Sequence, residues 1–500
     1  MKSNSFKTIL TNILNQNNVS ISKLATMINV DRTWLQHALT GKRTLTYEHF
    51  EKILNCLGLT APLSSELMEA FAIEHFGNED YQIIQNSISL LNRMTDFETI
   101  PQIDFSDNSL KLLFENISSQ YCNGNQTELF LKICEIISLE LKKEQPLIFT
   151  TYNLSLDCIR VLFLYILRLQ NPTVDYKHII LYNSTWSEAE ILNNFLYQCE
   201  FAGYNHNTYS IYDNSKHDLT NSITPLPYFI LTSDTVLFFN HNLDFYIYEN
   251  ESTNVLYIHD FFNNILKMSV PFCHSMHTKD DYSFFTSLIN SNIPAKDMSW
   301  YDISSSICMS SGLDAEILSD SISSKREYKD FFINSIYHYF NNLLVCPHKA
   351  IWSLSSLLDF IYNDTQVLDY HYVPFDFLEI SPKNKLKMLK EIYKYAVDNI
   401  SQNYIMIENN FKLPSFIHFN VYNNSIVLLA NLKILDSSNN NYYVGTSIVH
   451  NITIARHLQN LCEYIIHSSS VYSTSPQYAV EQLENAISYY SKKHGLTDED

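Results

Sequence analysis

Residues 19–43 read V-S-I-S-K-L-A-T-M-I-N-V-D-R-T-W-L-Q-H-A-L-T-G-K-R. Two short helical patterns, 22–28 and 32–39, flank a tight Asn29-Val30 break. Asp31 stands where the second helix needs an N-cap, so its carboxylate can accept the orphan N–H groups of the first turn. Ala25 is small where two helices must cross closely, and Leu24, Ile28, Val30 and Leu35 supply apolar contacts that fix the crossing. These are the requirements of a helix-turn-helix, in which one helix braces and the next enters a DNA major groove.

Outward from this core, Leu24-Ala25, Asn29-Val30, the polar stretch 32–40, Gly41-Lys42-Arg43 and Leu57-Gly58-Leu59 follow in order. In that order they resemble the Cro/phage-repressor-like helix-turn-helix domains, the XRE family of bacterial regulators. The family pattern runs L-A, a glycine-valine-like turn, a polar recognition helix, G-K-R, then a helix ending L-G-L. The resemblance covers roughly residues 1–75 and implies an all-α, DNA-binding N-terminal domain. Three positions depart from it. Ile21 stands where the family often has a phosphate-contacting Gln, Asn29 replaces the turn glycine, and Leu39 replaces a common Glu. Asn tolerates the left-handed conformation of such a turn; Ile21 removes a polar anchor.

With the recognition helix starting at Asp31, the groove-facing residues are Arg32, Thr33, Gln36 and His37, with Trp34 at the edge. Arg can grip guanine O6/N7 and Gln can pair with adenine N6/N7, each worth roughly 1–3 kcal/mol of discrimination. Lys42 and Arg43, just past the helix, and Lys23 suit phosphate clamping. The competing reading makes these solvated residues of a protein-binding helical domain, with Trp34 packed on its surface.

Charge is divided to match. Residues 1–60 hold seven Lys/Arg against three acids, a net +4, so residues 61–500 carry −24 of the chain's −20. A basic head on an acidic body confines phosphate binding to the head. The 500 residues suggest two or three domains. Only eight glycines occur, where average usage gives roughly 35. The closest two, Gly41 and Gly58, are too far apart for a GxGxxG or GxxxxGK[ST] phosphate loop. Nine scattered cysteines without a CxxC pair suit free thiols in a reducing cytoplasm. No apolar run approaches the ~18–20 residues needed to span a bilayer.

Helical spacing covers 6–16, 46–56, 64–75 and 80–94, and a helical connector over 61–100 is the expected place for a dimer contact. The pattern lapses into a linker at 101–108. Strand and helix signals then alternate through 101–280: strands at 147–152, 178–182 and 208–212, helices at 156–170 and 187–201. That argues for an α/β region with some parallel pairing. Strands at 228–232, 235–240 and 245–248 read as an antiparallel meander before a helix over 255–268. Residues 281–500 read as an α+β region, with strands at 302–309, 404–408, 416–422, 426–431 and 443–449. Apolar and aromatic residues fill 328–344, a short helix is expected at 315–321, and longer ones at 351–362, 382–400, 452–467 and 476–493. No internal sequence repeat is visible. The expected architecture is an all-α N-terminal domain, 1–60, followed by a large mixed α/β (α+β) body.

Catalytic signals are weak. Cys273, His274 and His277 form a tight potential ligand group, but zinc wants four partners or three plus water, and only distant Cys346 and His348 could complete it. His217-Asp218 and His259-Asp260 are isolated dipeptides, the second inside an ordinary helix. No GxSxG or HExxH occurs. Abundant Tyr and Phe could line an effector pocket bordered by the rigid Pro225-Leu226-Pro227-Tyr228 turn.

The expectation is therefore a sequence-specific transcriptional regulator, not an enzyme. It would bind double-stranded DNA as a homodimer, with half-sites about one helical turn apart. The body would sense a small-molecule or peptide effector; no metal, cofactor or membrane is implied. Two alternatives stand beside it: an enzyme carrying a regulatory DNA-binding head, and a protein-interaction scaffold.

Overall fold

A computed structural model describes residues 5–98, 106–168, 174–183, 186–202, 208–213, 226–272, 274–275, 300–308, 312–321, 346–363, 380–398, 401–415, 417–422, 426–436, 441–468 and 471–497. Five helices open the chain: α1 (Phe6–Gln16), α2 (Ile21–Met27), α3 (Arg32–Leu39), α4 (Tyr47–Leu57) and α5 (Ala61–Phe76). Side-chain oxygens of Ser5, Ser20, Asp31 and Thr46 cap the first four, each accepting from a backbone N–H of the first turn. Their apolar faces meet in one core of Phe6, Leu10, Leu24, Leu35, Phe50 and Phe71. Phe50 lies flat on Phe71 at 4.1 Å, with 7° between the ring planes.

The long helix α6 (Asn78–Glu98) leads into the body. The connector's apolar residues divide between two cores: Leu67 and Phe71 of α5 belong to the head core, while Ile84, Ile88 and Leu91 of α6 belong to the body core. The helices α7 (Asp107–Tyr121) and α8 (Gln126–Glu140) precede the first strand, so Asp107 and Asn108, read as linker, start a helix capped by Ser106.

The body is mixed α/β and holds two seven-stranded sheets, each mixing parallel and antiparallel pairs. In the first, β1 (Leu147–Thr151) is central. Strands β2 (Asp175–Asn183) and β3 (Thr208–Asp213) follow in parallel through the crossover helices α9 (Asp157–Leu167) and α10 (Glu188–Ala202). On the other side of β1 run the antiparallel β4 (Tyr228–Thr232), β5 (Val236–Phe239) and β6 (Tyr246–Glu249). Helix α11 (Ser252–Met268) then lays Val255 and Phe262 on Phe149, Ile179 and Leu231, and β7 (Val270–Pro271) pairs with β3. The order is β6-β5-β4-β1-β2-β3-β7.

The second sheet repeats this plan. After the two-residue β8 (His274–Ser275), β9 (Trp300–Ser304) stands third in the sheet, with β10 (His348–Trp352) and β11 (Ser401–Ile405) parallel on one side. Between these strands lie α12 (Ala315–Ser321), α13 (Leu354–Asn363) and α14 (Pro382–Val397). The antiparallel meander β12 (His418–Tyr422), β13 (Ile426–Asp436) and β14 (Asn441–His450) lies on the other side, and α15 (Ile452–His467) follows it as α11 follows β6. Helix α16 (Pro476–His494) ends the described chain, and the order is β11-β10-β9-β12-β13-β14-β8.

Two expectations change here. The second half carries parallel crossovers rather than a purely α+β pattern, because helices separate β9, β10 and β11 in sequence. The strand read at 404–408 is the ladder 401–405; beyond it the chain turns away, and Ile407 N donates to Tyr472 O at 2.9 Å. Residues 328–344 lie outside the described set. The two sheets share a core in which Phe195 of α10 meets Phe419 of β12, with α6 and α15 packed into it.

Among the described residues no helix is long and apolar enough to cross a membrane. The eight cysteines among them are free thiols.

Candidate nucleic-acid interface

The α2–α3 unit is built from local chemistry. Met27 ends α2, Ile28 caps it, and Asn29 turns the chain with φ 56°, the left-handed conformation that Asn accepts at low cost. Val30 N then returns to Ala25 O at 2.9 Å, which closes the turn. The Asp31 carboxylate accepts from Trp34 N at 3.0 Å, and this bond holds its pKa below the usual value, with Arg43 adding a smaller pull. Leu35, Ala38 and Leu39 bury the inner face of α3 in the core shared with Leu24, Ala25 and Ile28.

The opposite face is outward. Arg32, Thr33 and Gln36 are exposed, His37 and Trp34 half-buried. Past the helix Gly41 takes φ 73°, and the N–H groups of Lys42 and Arg43 both return to His37 O, at 2.9 and 3.3 Å. That hairpin-tight turn brings two exposed cations back against the C-terminal end of α3, and Lys23 is exposed on α2. Among the described residues none of Lys23, Arg32, Lys42 and Arg43 has a carboxylate within ion-pair distance, whereas Lys52 is held by Glu48 at 2.6 Å. Four cations without an ion pair among the described residues and two amide or hydroxyl side chains thus share this region, with Asp31 the acid that Arg43 influences.

Beside them runs a groove of about 460 Å³ lined by Val30, Asp31, Thr33, Trp34, His37, Arg43 and His49. Trp34 packs on the His49 ring at 4.3 Å, and Thr46 Oγ1 holds His49 Nδ1 at 2.6 Å. His49 was not among the residues read from sequence; its place three residues after the Thr46 cap, at the start of α4, is the signal that marks it. Helical rotation of 100° per residue sets His49 about 200° from Tyr47. Tyr47 and Glu51 therefore face the body, where both meet His467, while His49 faces the groove.

The other candidates do not assemble. His274 lies in β8 and His348 in β10, five strand spacings or roughly 24 Å apart across the sheet. Cys273, His277, His217 and Asp218 lie outside the described residues. His348 stacks on Trp300 at 4.7 Å, and burial pushes its pKa down to about 4. His259 Nε2 reaches Thr232 O at 3.0 Å, tying α11 to β4. Pro225 is outside the described set, and Pro227 leads into β4.

No family model and no curated protein matches the chain. Among solved structures, the chain is similar to the phosphatidylserine synthase of Haemophilus influenzae Rd KW20, at 11% identity and a TM-score of 0.25, over 72% of this chain and 90% of that one.

Proposed function

We propose that residues 1–60 form an all-α helix-turn-helix domain that reads double-stranded DNA, and that the chain is a cytoplasmic transcriptional regulator. The observation that carries this reading is the exposed row Arg32, Thr33 and Gln36 on α3, flanked by the exposed Lys42 and Arg43. Arg and Gln have the bidentate geometry for guanine and adenine edges, and Lys42 and Arg43 beyond the helix suit phosphates. The docking of the head through the far face of α4 supports the reading, because it leaves the row and its groove uncovered by the body residues that meet Tyr47 and Glu51.

The working form in this proposal is a homodimer on two half-sites about one helical turn apart. The α/β body takes a small-molecule or peptide effector. The head binds; no catalytic residue is assigned.

The test is selection of bound fragments from random and genomic DNA at two salt concentrations, with an Arg32→Ala/Gln36→Ala control. A two-fold symmetric site enriched by the wild-type chain and lost in the control supports operator reading. Binding that stays at the non-specific level for every fragment defeats it.

A further inference from the structure

We propose that Asp80 of α6, Glu188 of α10 and His457 of α15 form a binding site for a divalent transition-metal cation. One ring nitrogen of His457 and one oxygen of each carboxylate lie within 4.8 Å of one another. The set joins the helix leading from the head to helices of both halves of the body.

The second observation is an orphaned atom. His457 is 1% exposed, and its Nδ1 has no hydrogen-bond partner. The other ring nitrogen, Nε2, sits 3.1 Å from Glu188 Oε2 and 3.3 Å from Arg456 Nη2. Nδ1 faces Asp80 Oδ1 at 3.9 Å, too far for a hydrogen bond. A cation held between Nδ1 and Asp80 Oδ1 would give the orphaned nitrogen a partner.

The surroundings have the form of a metal site's outer shell. Asn460 Nδ2 donates to Asp80 Oδ2 at 3.3 Å and orients that carboxylate. One imidazole and carboxylate oxygens suit Zn²⁺ or a neighbouring first-row ion, with water completing the shell. Arg456 is the competitor: its Nη2 hydrogen-bonds Glu188, but its side chain is 43% exposed and can leave. The assignment is independent of whether the head binds DNA.

The full chain, stripped with chelator, is titrated with Zn²⁺ by calorimetry and with Co²⁺ by visible absorption, alongside thermal unfolding. The expected result is one tight equivalent, ligand-field absorption from Co²⁺, and an unfolding midpoint that rises with Zn²⁺. Asp80→Asn and His457→Gln should each weaken the site at least tenfold, while Arg456→Gln should leave it as tight or tighten it. Asp80 is half-buried, so its variant keeps the test usable where His457→Gln fails to fold. No stoichiometric binding, or binding that Asp80→Asn leaves unchanged, would overturn the assignment.

Discussion

The imidazole of His467, at the end of α15, lies flat on the ring of Tyr47 in α4, with centroids 4.1 Å apart and 12° between planes. Its Nδ1 is 2.9 Å from Glu51 Oε1, so one body residue grips two head residues a helical turn apart. Tyr47 is buried and its hydroxyl has no hydrogen-bond partner among the described residues, so burial pushes its pKa well above the ordinary value, with Glu463 adding to the effect. A ring stack and a single polar contact from the same residue therefore hold α4 to the body.

His467→Ala should loosen this joint. Ring stacking contributes about 0.5–1.5 kcal/mol beyond area burial, and a partly exposed pair adds less than about 1 kcal/mol. Amide exchange should speed up in α4 and α5 while α1–α3 and the sheets keep their protection. Uniform loss of protection through the body would mean that His467 supports the core rather than the joint.

The α3 side chains and the cations after it should separate by their salt response. Arg32→Ala and Gln36→Ala each remove base-edge contacts in the proposed complex, at a cost of about 1–3 kcal/mol, and should relax preference at one position per half-site. Lys42→Ala and Arg43→Ala should weaken all sequences alike and reduce the slope of log K against log salt by about one each. Anisotropy titrations on operator and scrambled duplexes distinguish the two classes. Identical behaviour in all four variants would contradict the assignment of roles.

Local chemistry was legible and non-local pairing was not. The caps at Asp31 and Thr46 were readable because cap and helix are neighbours in sequence, and the same holds for the Asn29 turn. The duplicated sheet plan was hidden because its spacing is irregular: crossovers such as α12 to α14 differ in length from α9 and α10, so no period repeats. Strands of two residues, β7 and β8, carry no alternation to detect. The polar trio Asp80, Glu188 and His457 comes from three helices far apart in the chain, and nothing local to any of them marks it.

Acid should destabilise the body through two buried histidines. His178, fully buried beside Thr150 at 2.7 Å, has its pKa pushed down to about 3 by desolvation. His348 is pushed down to about 4 by the same cause, against the opposing pull of Asp302. Each is neutral in the fold but gains a proton when unfolded, near pH 6.5. The unfolded state thus binds more protons between that value and the folded one. Stability is intact above about pH 6.5 and falls with acidification, each group adding up to about 1.4 kcal/mol per pH unit. Urea midpoints between pH 7 and 4.5 should drop, and His178→Gln should flatten the slope. A midpoint constant across this range would refute the account.

Two glycines should respond oppositely to substitution. Gly312, just before α12, lies against the backbone of α14: an added Cβ would sit 2.6 Å from Met388 O and 2.9 Å from Met388 Cα. Neither atom can rotate away, because Met388 is buried within a helix whose neighbours Leu386 and Leu389 belong to one buried cluster with Trp300 and Trp352 of the second sheet. Gly312→Ala must therefore push α12 and α14 apart, at about 1–3 kcal/mol for overpacking. Gly41 has open space around it, but its φ of 73° resists a side chain. Gly41→Asn should cost little, since Asn visits this region, and Gly41→Val more, through its branched Cβ. Urea unfolding of the three variants separates crowding from backbone strain. If Gly312→Ala matches wild type within about 0.5 kcal/mol, the α12–α14 contact is looser than these distances state.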